Sequence, residues 1–188
     1  SDFFIHNIDE CCWIKGMWPT KCHAQGGRHY RGDKVDQNLD NYTVEYTFSD
    51  ETKLYFHGRN MAGCHQEFSS HAHGTNGYAL ISGPGGHRSQ ARIHKGQGAY
   101  SAPLWTFGQS SGSGRPTRET NPYQDEWEVL MDAIKNDKAH NEVERGVQAS
   151  VVTSMGRMAG HLGTEVSYDQ MLNCEHTFGP GVENLTLG

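Results

Sequence analysis

Asp2-Phe3-Phe4-Ile5-His6-Asn7-Ile8-Asp9-Glu10-Cys11-Cys12-Trp13 is the stretch around which the chain is organised. Read as a helix, it turns about 100° per residue. Asp2, His6, Asp9 and Trp13 then fall within roughly 60° of one another on one face. Ile5, Ile8 and Cys12 form a neighbouring apolar stripe suited to burial against a sheet. Lys15 and Gly16 supply a cation in the last turn and a C-terminal stop. The polar face suits proton transfer. An imidazole takes and gives a proton near neutral pH, and a carboxylate one turn away fixes its tautomer. A second carboxylate and an indole suit the hydroxyls and ring face of a sugar. The same spacing also suits a solvated helix face with an i,i+4 Asp–His pair.

Composition narrows the class. The chain has 188 residues, 35% of them hydrophobic, and 23 glycines, as in a loop-rich globular domain. A net charge of −6 gives no electrostatic reason to expect a nucleic-acid partner. No run approaches the roughly 20 apolar residues of a membrane span. Cys11, Cys12, Cys22, Cys64 and Cys174 fit neither a disulfide framework nor a C-x-x-C metal pattern. Reduced thiols and a cytoplasmic location are expected. A periplasmic location stays open, because the chain starts inside a patterned helix and an N-terminal part is expected to be missing.

The remaining segments set the fold class. Lys21 to Gln25 suits a short edge strand, and Gly26 to Asp33 reads as a polar, Gly-rich loop. Tyr42, Val44, Tyr46 and Phe48 alternate with Thr43, Glu45 and Thr47, and Lys53 to Arg59 returns after a turn: an antiparallel hairpin with one buried face. Gly74 to Gly77 is a turn into a strand over Tyr78 to Ser82, and Ala91 to Lys95 and Ala99 to Phe107 are two more strands. Gln109 to Thr120 reads as a flexible surface loop. Asn121-Pro122 opens a helix with an apolar stripe of Trp127, Leu130, Met131 and Ile134. Asn141 caps another, running to Leu162, with Val143, Val147, Val151, Met155 and Met158 inward. Its small residues, Gly146, Ala149, Ser150, Gly156, Ala159 and Gly160, allow close packing. Ser167 to Gln170 is a capping box for a short last helix, and the tail from Glu175 looks extended. This order predicts one α+β domain over residues 1–188. Its open, predominantly antiparallel β-sheet has helices packed on one face and the other face free for oligomerisation.

Several motifs, in this order, resemble the C-terminal domain of the Gfo/Idh/MocA oxidoreductases. They are Asp-x-x-x-His-x-x-Asp at Asp2, His6 and Asp9, Cys12-Trp13, the Gly26-Gly27-Arg28 loop and His73-Gly74-Thr75-x-Gly77. Asn121-Pro122-Tyr123-Gln124, Asn141-Glu142-x-Glu144-x-Gly146 and Met155-Gly156-Arg157-Met158-Ala159 complete the set. The likeness runs from Asp2 to about Asn173. It implies the substrate and oligomerisation half of an NAD(P)-dependent sugar or polyol dehydrogenase, working by hydride transfer as a homodimer or homotetramer. By the same likeness His6 is the acid/base or the partner of a substrate hydroxyl, Asp2 orients it, and Asp9 holds a neighbouring hydroxyl. The family's Glu-Lys-Pro motif and its Gly-rich dinucleotide fingerprint do not occur in this sequence. NAD or NADP would therefore be held mainly by a domain that this chain lacks, and the isolated chain is expected to be inactive.

Trp13 is a candidate platform for the sugar ring. Arg59, Asn60 and His65 line the pocket if the end of the second hairpin strand faces the His6 helix. Two other readings suit the same residues. One is a non-catalytic carbohydrate-binding or interaction module. The other is a metal-dependent hydrolase or lyase using His65, His71 and His73, since His71 and His73 share a face on a strand.

Overall fold

The computed structural model describes residues 4–34, 36–83, 91–98, 101–107 and 121–176, with Gly179, Gly181, Asn184 and Thr186. Asp2, the segment 109–120 and most of the tail after His176 lie outside the described residues. The elements are α1 (Ile5–Lys15), β1 (Lys21–Gly27), β2 (Asn41–Thr47), β3 (Lys53–Arg59), β4 (Ser70–His73), β5 (Gly77–Ser82), β6 (Arg92–Lys95) and β7 (Pro103–Thr106). They continue with α2 (Pro122–Lys135), α3 (Val143–Leu162), β8 (Val166–Ser167) and α4 (Tyr168–Leu172). The fold is α+β, and every pairing between named strands is antiparallel. The strands divide into two four-stranded sheets, β3-β2-β1-β8 and β4-β5-β6-β7. β1 is an interior strand rather than the expected edge, because β8 pairs with Lys21 and Cys22 on its second side.

The first sheet carries the core. Val44, Tyr46 and Phe48 of the β2 segment point inward, as their alternation requires, together with Cys22 and Ala24 of β1. They meet Ile8 and Cys12 of α1, Val152, Met155 and Ala159 of α3, and Val166 of β8. The opposite face is polar: Lys53 pairs with Glu45 at 3.0 Å, and Thr43 lies 3.4 Å from His57. α1 ends at Gly16 in the left-handed region (φ 71°), whose N–H reaches the Cys12 carbonyl at 2.9 Å. The Asn121 side chain accepts from the Tyr123 N–H at 3.1 Å, and Pro122 opens α2. Ser167 and Gln170 close a full capping box on α4.

α3 keeps Met155 inward as expected, with Met158 packed against the core, but its inner face is shifted from the valines toward the small residues. Val143 and Val147 are exposed; Ala149, Val152, Thr153, Met155, Gly156 and Ala159 are buried. The cause is steric. A Cβ on Gly156 would stand 2.1 Å from the Tyr46 hydroxyl, and one on Gly160 would stand 3.1 Å from the Tyr42 ring. Only the small-residue stripe lets α3 sit on β1 and β2 with two tyrosines beneath it. The apolar stripe of α2 has no such seat among the described residues. Trp127 and Ile134 are 61% and 65% exposed, and Ala133 alone in that helix is buried.

Two glycines of the same helix should answer oppositely to alanine. Gly156→Ala should lower unfolding free energy by about 1–3 kcal/mol through overpacking on Tyr46. Gly146 has open space around its Cβ direction, so Gly146→Ala should raise it by about 0.5–1 kcal/mol. Urea unfolding of both variants reads the two signs.

Candidate functional site

α1 has three faces, and each meets a different part of the fold. Ile8 and Cys12 enter the core. Asn7 and Glu10 meet the second sheet: Glu10 Oε1 accepts from the Ser82 hydroxyl at 2.6 Å, from the Ser70 hydroxyl, and from Asn7 Nδ2 at 3.4 Å. Asn7 Nδ2 also donates to Ser70 Oγ at 2.9 Å. This polar knot fixes the helix against β4 and β5. The third face carries His6, Asp9 and Trp13, with His6 and Trp13 exposed.

Asp9 is held from α3. Arg145 donates to its two carboxylate oxygens through Nε at 3.2 Å and Nη2 at 2.7 Å. The same guanidinium stands over the Trp13 ring, 5.4 Å from its centroid. Arg145 is the residue that sequence reading missed. It lies inside the Asn141–Gly146 motif, but nothing in local spacing connects it to a residue 136 positions away. The bidentate grip orients the carboxylate and keeps the indole face beside a cation.

The end of β3 does face this helix. Phe4, just before α1, packs edge-on against Phe56 with ring centroids 5.1 Å apart, and its ring crowds the Cβ direction of Gly58. Because Phe56 and Gly58 face α1, the next residue along the strand, Arg59, is turned to the opposite face. Asn60 follows, its backbone N–H donating to the Asp40 carbonyl at 2.8 Å. His65 lies in the β3–β4 connection, 3.6 Å from Glu67. The structure therefore gathers His6, Asp9, Trp13 and Arg145 on one surface, while Arg59 points away and His65 sits with Glu67.

His71 and His73 share one face of β4, as their spacing requires, and both rings lie against Tyr78 of β5. His94 adds a third ring at 5.7 Å. Ser69 donates to Glu67 at 2.7 Å and so accepts from His71 Nε2 at 3.1 Å. This leaves His71 Nδ1 to accept from the Tyr78 hydroxyl at 2.5 Å. Burial, with the Glu67 charge added, raises the Tyr78 pKa and keeps it a donor. His73 Nδ1 and His94 Nδ1 are bonded to Gln97 and to the Ser101 carbonyl. Among the described residues no group of three His, Cys, Asp or Glu side chains is arranged to hold a metal ion.

All five cysteines are free. Burial pushes Cys11 up to about 11 and Cys12 and Cys22 up to about 12, so none of these three is a thiolate nucleophile at neutral pH. Among the described residues no helix is long and apolar enough to cross a membrane.

No protein-family model and no curated protein sequence matches the chain. Solved structures do share its fold. An aldose-aldose oxidoreductase from Caulobacter crescentus complexed with glycerol superposes with a TM-score of 0.64 at 14% identity, over 88% of this chain and 46% of that one. An oxidoreductase from Agrobacterium radiobacter in complex with NAD+, L-tartaric acid and magnesium gives 0.58 at 13% identity, over 90% and 49%. The WlbA dehydrogenase from Bordetella pertussis in complex with NADH and UDP-GlcNAcA gives 0.56 at 10%, over 88% and 44%. The chain spans about half the length of these structures.

The Asp9–Arg145 pair has side chains 28% and 42% exposed. A double-mutant cycle with Asp9→Ala and Arg145→Ala should give a coupling of about 1 kcal/mol in unfolding free energy. Zero coupling would mean that the pair does not tie α1 to α3.

Proposed function

We propose that this chain, with the fold of about half of a Gfo/Idh/MocA-type oxidoreductase, is the substrate-binding and oligomerisation domain of an NAD(P)-dependent dehydrogenase acting on a sugar or polyol. The observation that carries this reading is the exposed α1 face. It presents an imidazole, a clamped carboxylate and an indole together on one side of a helix anchored on its other two faces. The fold neighbours support it, since they are oxidoreductases and dehydrogenases, among them complexes with glycerol, with NAD+ and with NADH.

In this reading His6 takes the proton from the substrate hydroxyl that becomes the carbonyl. Asp2, one turn earlier in the sequence, orients the imidazole. Asp9 offers a fixed acceptor for a second hydroxyl, and Arg145 sets the angle at which it does so. Trp13 packs on the apolar face of the ring. Asn60 and His65, on the β3–β4 connection, would hold further hydroxyls of the substrate. Arg59 would contribute only from the far side of its strand.

The described residues do not themselves fit a dinucleotide. That cofactor needs parallel strands leading into helix N-termini, and the strand pairings here are antiparallel. NAD or NADP is therefore assigned to the remainder of a longer protein. The five free thiols suit a reducing, cytoplasm-like compartment.

The second sheet offers the surface for a second copy. Ala72, Ala79, Ile93 and Trp105 lie side by side in register across β4 to β7, on the face opposite Tyr78. Ile93 and Trp105 are 46% and 47% exposed. An apolar row of this kind suits a two-fold, sheet-to-sheet contact.

His6→Ala in the intact enzyme should lower kcat by a factor of about 10² to 10⁴ while the fold is kept. An unchanged steady-state rate would take His6 out of the mechanism. Trp105→Asp should shift the oligomer toward monomer in light scattering. A variant with unchanged mass would move the interface elsewhere.

A further inference from the structure

We infer that Arg145 is a specificity-determining residue, which together with Asp9 reads two hydroxyl groups on neighbouring carbons of a ring. The inference rests on the reading of the exposed α1 face as a sugar or polyol site and deepens it. Asp9 alone takes any hydroxyl within reach; the pair takes a vicinal diol.

Stability gives little reason for this pair. Both partners are partly exposed, and ion pairs of that kind contribute little to folding. Arg145 also stands in the first turn of α3, where the helix dipole opposes a cation. The arrangement is nonetheless firmly built. Asp9 rides on a helix whose Ile8 and Cys12 are in the core, and Arg145 on one whose Ala149, a turn further on, is buried. The guanidinium carbon of Arg145 stands 5.4 Å from the centroid of the Trp13 ring, and the indole fixes its plane. A guanidinium held by a carboxylate along one edge and by an aromatic ring on one face has little freedom left to lose. That limits the ordering cost of binding.

The pair has hydrogen-bonding capacity to spare. A guanidinium donates along two edges. The edge of Nε and Nη2 is spent on the two oxygens of Asp9, at 3.2 and 2.7 Å. The edge of Nη1 and the second N–H of Nη2 makes no hydrogen bond among the described residues. Each Asp9 oxygen accepts once from Arg145 and keeps a further lone pair. Nη2 is common to both edges of the guanidinium. Its second N–H and the remaining lone pair of Oδ2 therefore belong to atoms only 2.7 Å apart. Two hydroxyls that bond them side by side have their oxygens at a similar spacing, as gauche hydroxyls on adjacent ring carbons do. One hydroxyl donates to Oδ2 and its neighbour accepts from Nη2, and both bonds are charge-assisted. Hydroxyls placed across a ring from each other reach only one of the two. The carboxylate cancels the charge of the guanidinium, so the pair selects a pattern of donor and acceptor rather than a net charge.

The test is a saturation-transfer NMR titration of the full-length natural protein, without nicotinamide, against two isomers of one compound, cis-1,2-cyclohexanediol and trans-1,4-cyclohexanediol. The 1,2 isomer should saturate in the millimolar range. The 1,4 isomer should need a concentration at least about tenfold higher, one charge-assisted hydrogen bond being worth roughly that factor. Arg145→Met, of similar length but without donors, should erase the preference. Arg145→Lys should not restore it, since an ammonium keeps the charge and loses the fork. Asp9→Leu should erase it from the acceptor side, and decides the matter if the Arg145 variants do not fold. No binding of the 1,2 isomer, equal binding of the two isomers, or an undiminished preference in a folded variant would each overturn the proposal. The titration needs no turnover. A clear preference in a protein that oxidises no sugar or polyol would overturn the dehydrogenase reading alone; oxidation without the preference would overturn this one alone.

Discussion

The closeness of α3 to the first sheet is the constraint on which the rest of the structure depends. Tyr46 is buried under this helix, and its hydroxyl occupies the place where any side chain at position 156 would begin. Tyr42 fills the same role one turn later, beneath Gly160. With its glycines over the two tyrosines, α3 can turn only one stripe inward, and its rotation is fixed. That rotation aims Arg145 at α1, places His161 beside Tyr42, and sets Met158 and Leu162 around a hollow at its end. A helix rotated so that Val143 and Val147 faced inward would lose all three arrangements at once.

How much of this was legible in the sequence depended on how local the signal was. The β2–β3 hairpin was, because alternation and a turn are read within a few residues. The caps at Gly16, Asn121 and Ser167 were, because each is a bond between near neighbours. The rotation of α3 was not. Its sequence offers two candidate inner faces, one of valines and methionines and one of small residues. The choice is made by tyrosines on a strand more than a hundred positions earlier. Burial of the larger side chains was a true guide at Met155, which is fully buried, but not at Val143 and Val147, since the volume beneath Gly156 and Gly160 was already taken.

The polar surface of α1 was read in part. Its angular grouping follows from helix geometry, and His6, Asp9 and Trp13 do share a face. The partner of Asp9 was invisible, because a bidentate ion pair between two helices leaves no mark at either helix's own periodicity. The second partner of β1 was equally hidden, since β8 contributes only Val166 and Ser167 and no pattern of two residues announces a strand. The side chosen by Arg59, in contrast, follows from the parity of β3 once Gly58 is known to lie under Phe4.

Glu10 has a mechanical consequence. A single oxygen of its carboxylate gathers hydroxyls from both β4 and β5, while the helix that carries it is seated in the core of the other sheet. α1 is thus a rivet through two plates. The position of the outer plate is thereby tied to the helix about one turn from His6, so the two sheets cannot slide past each other without breaking the bonds of Glu10.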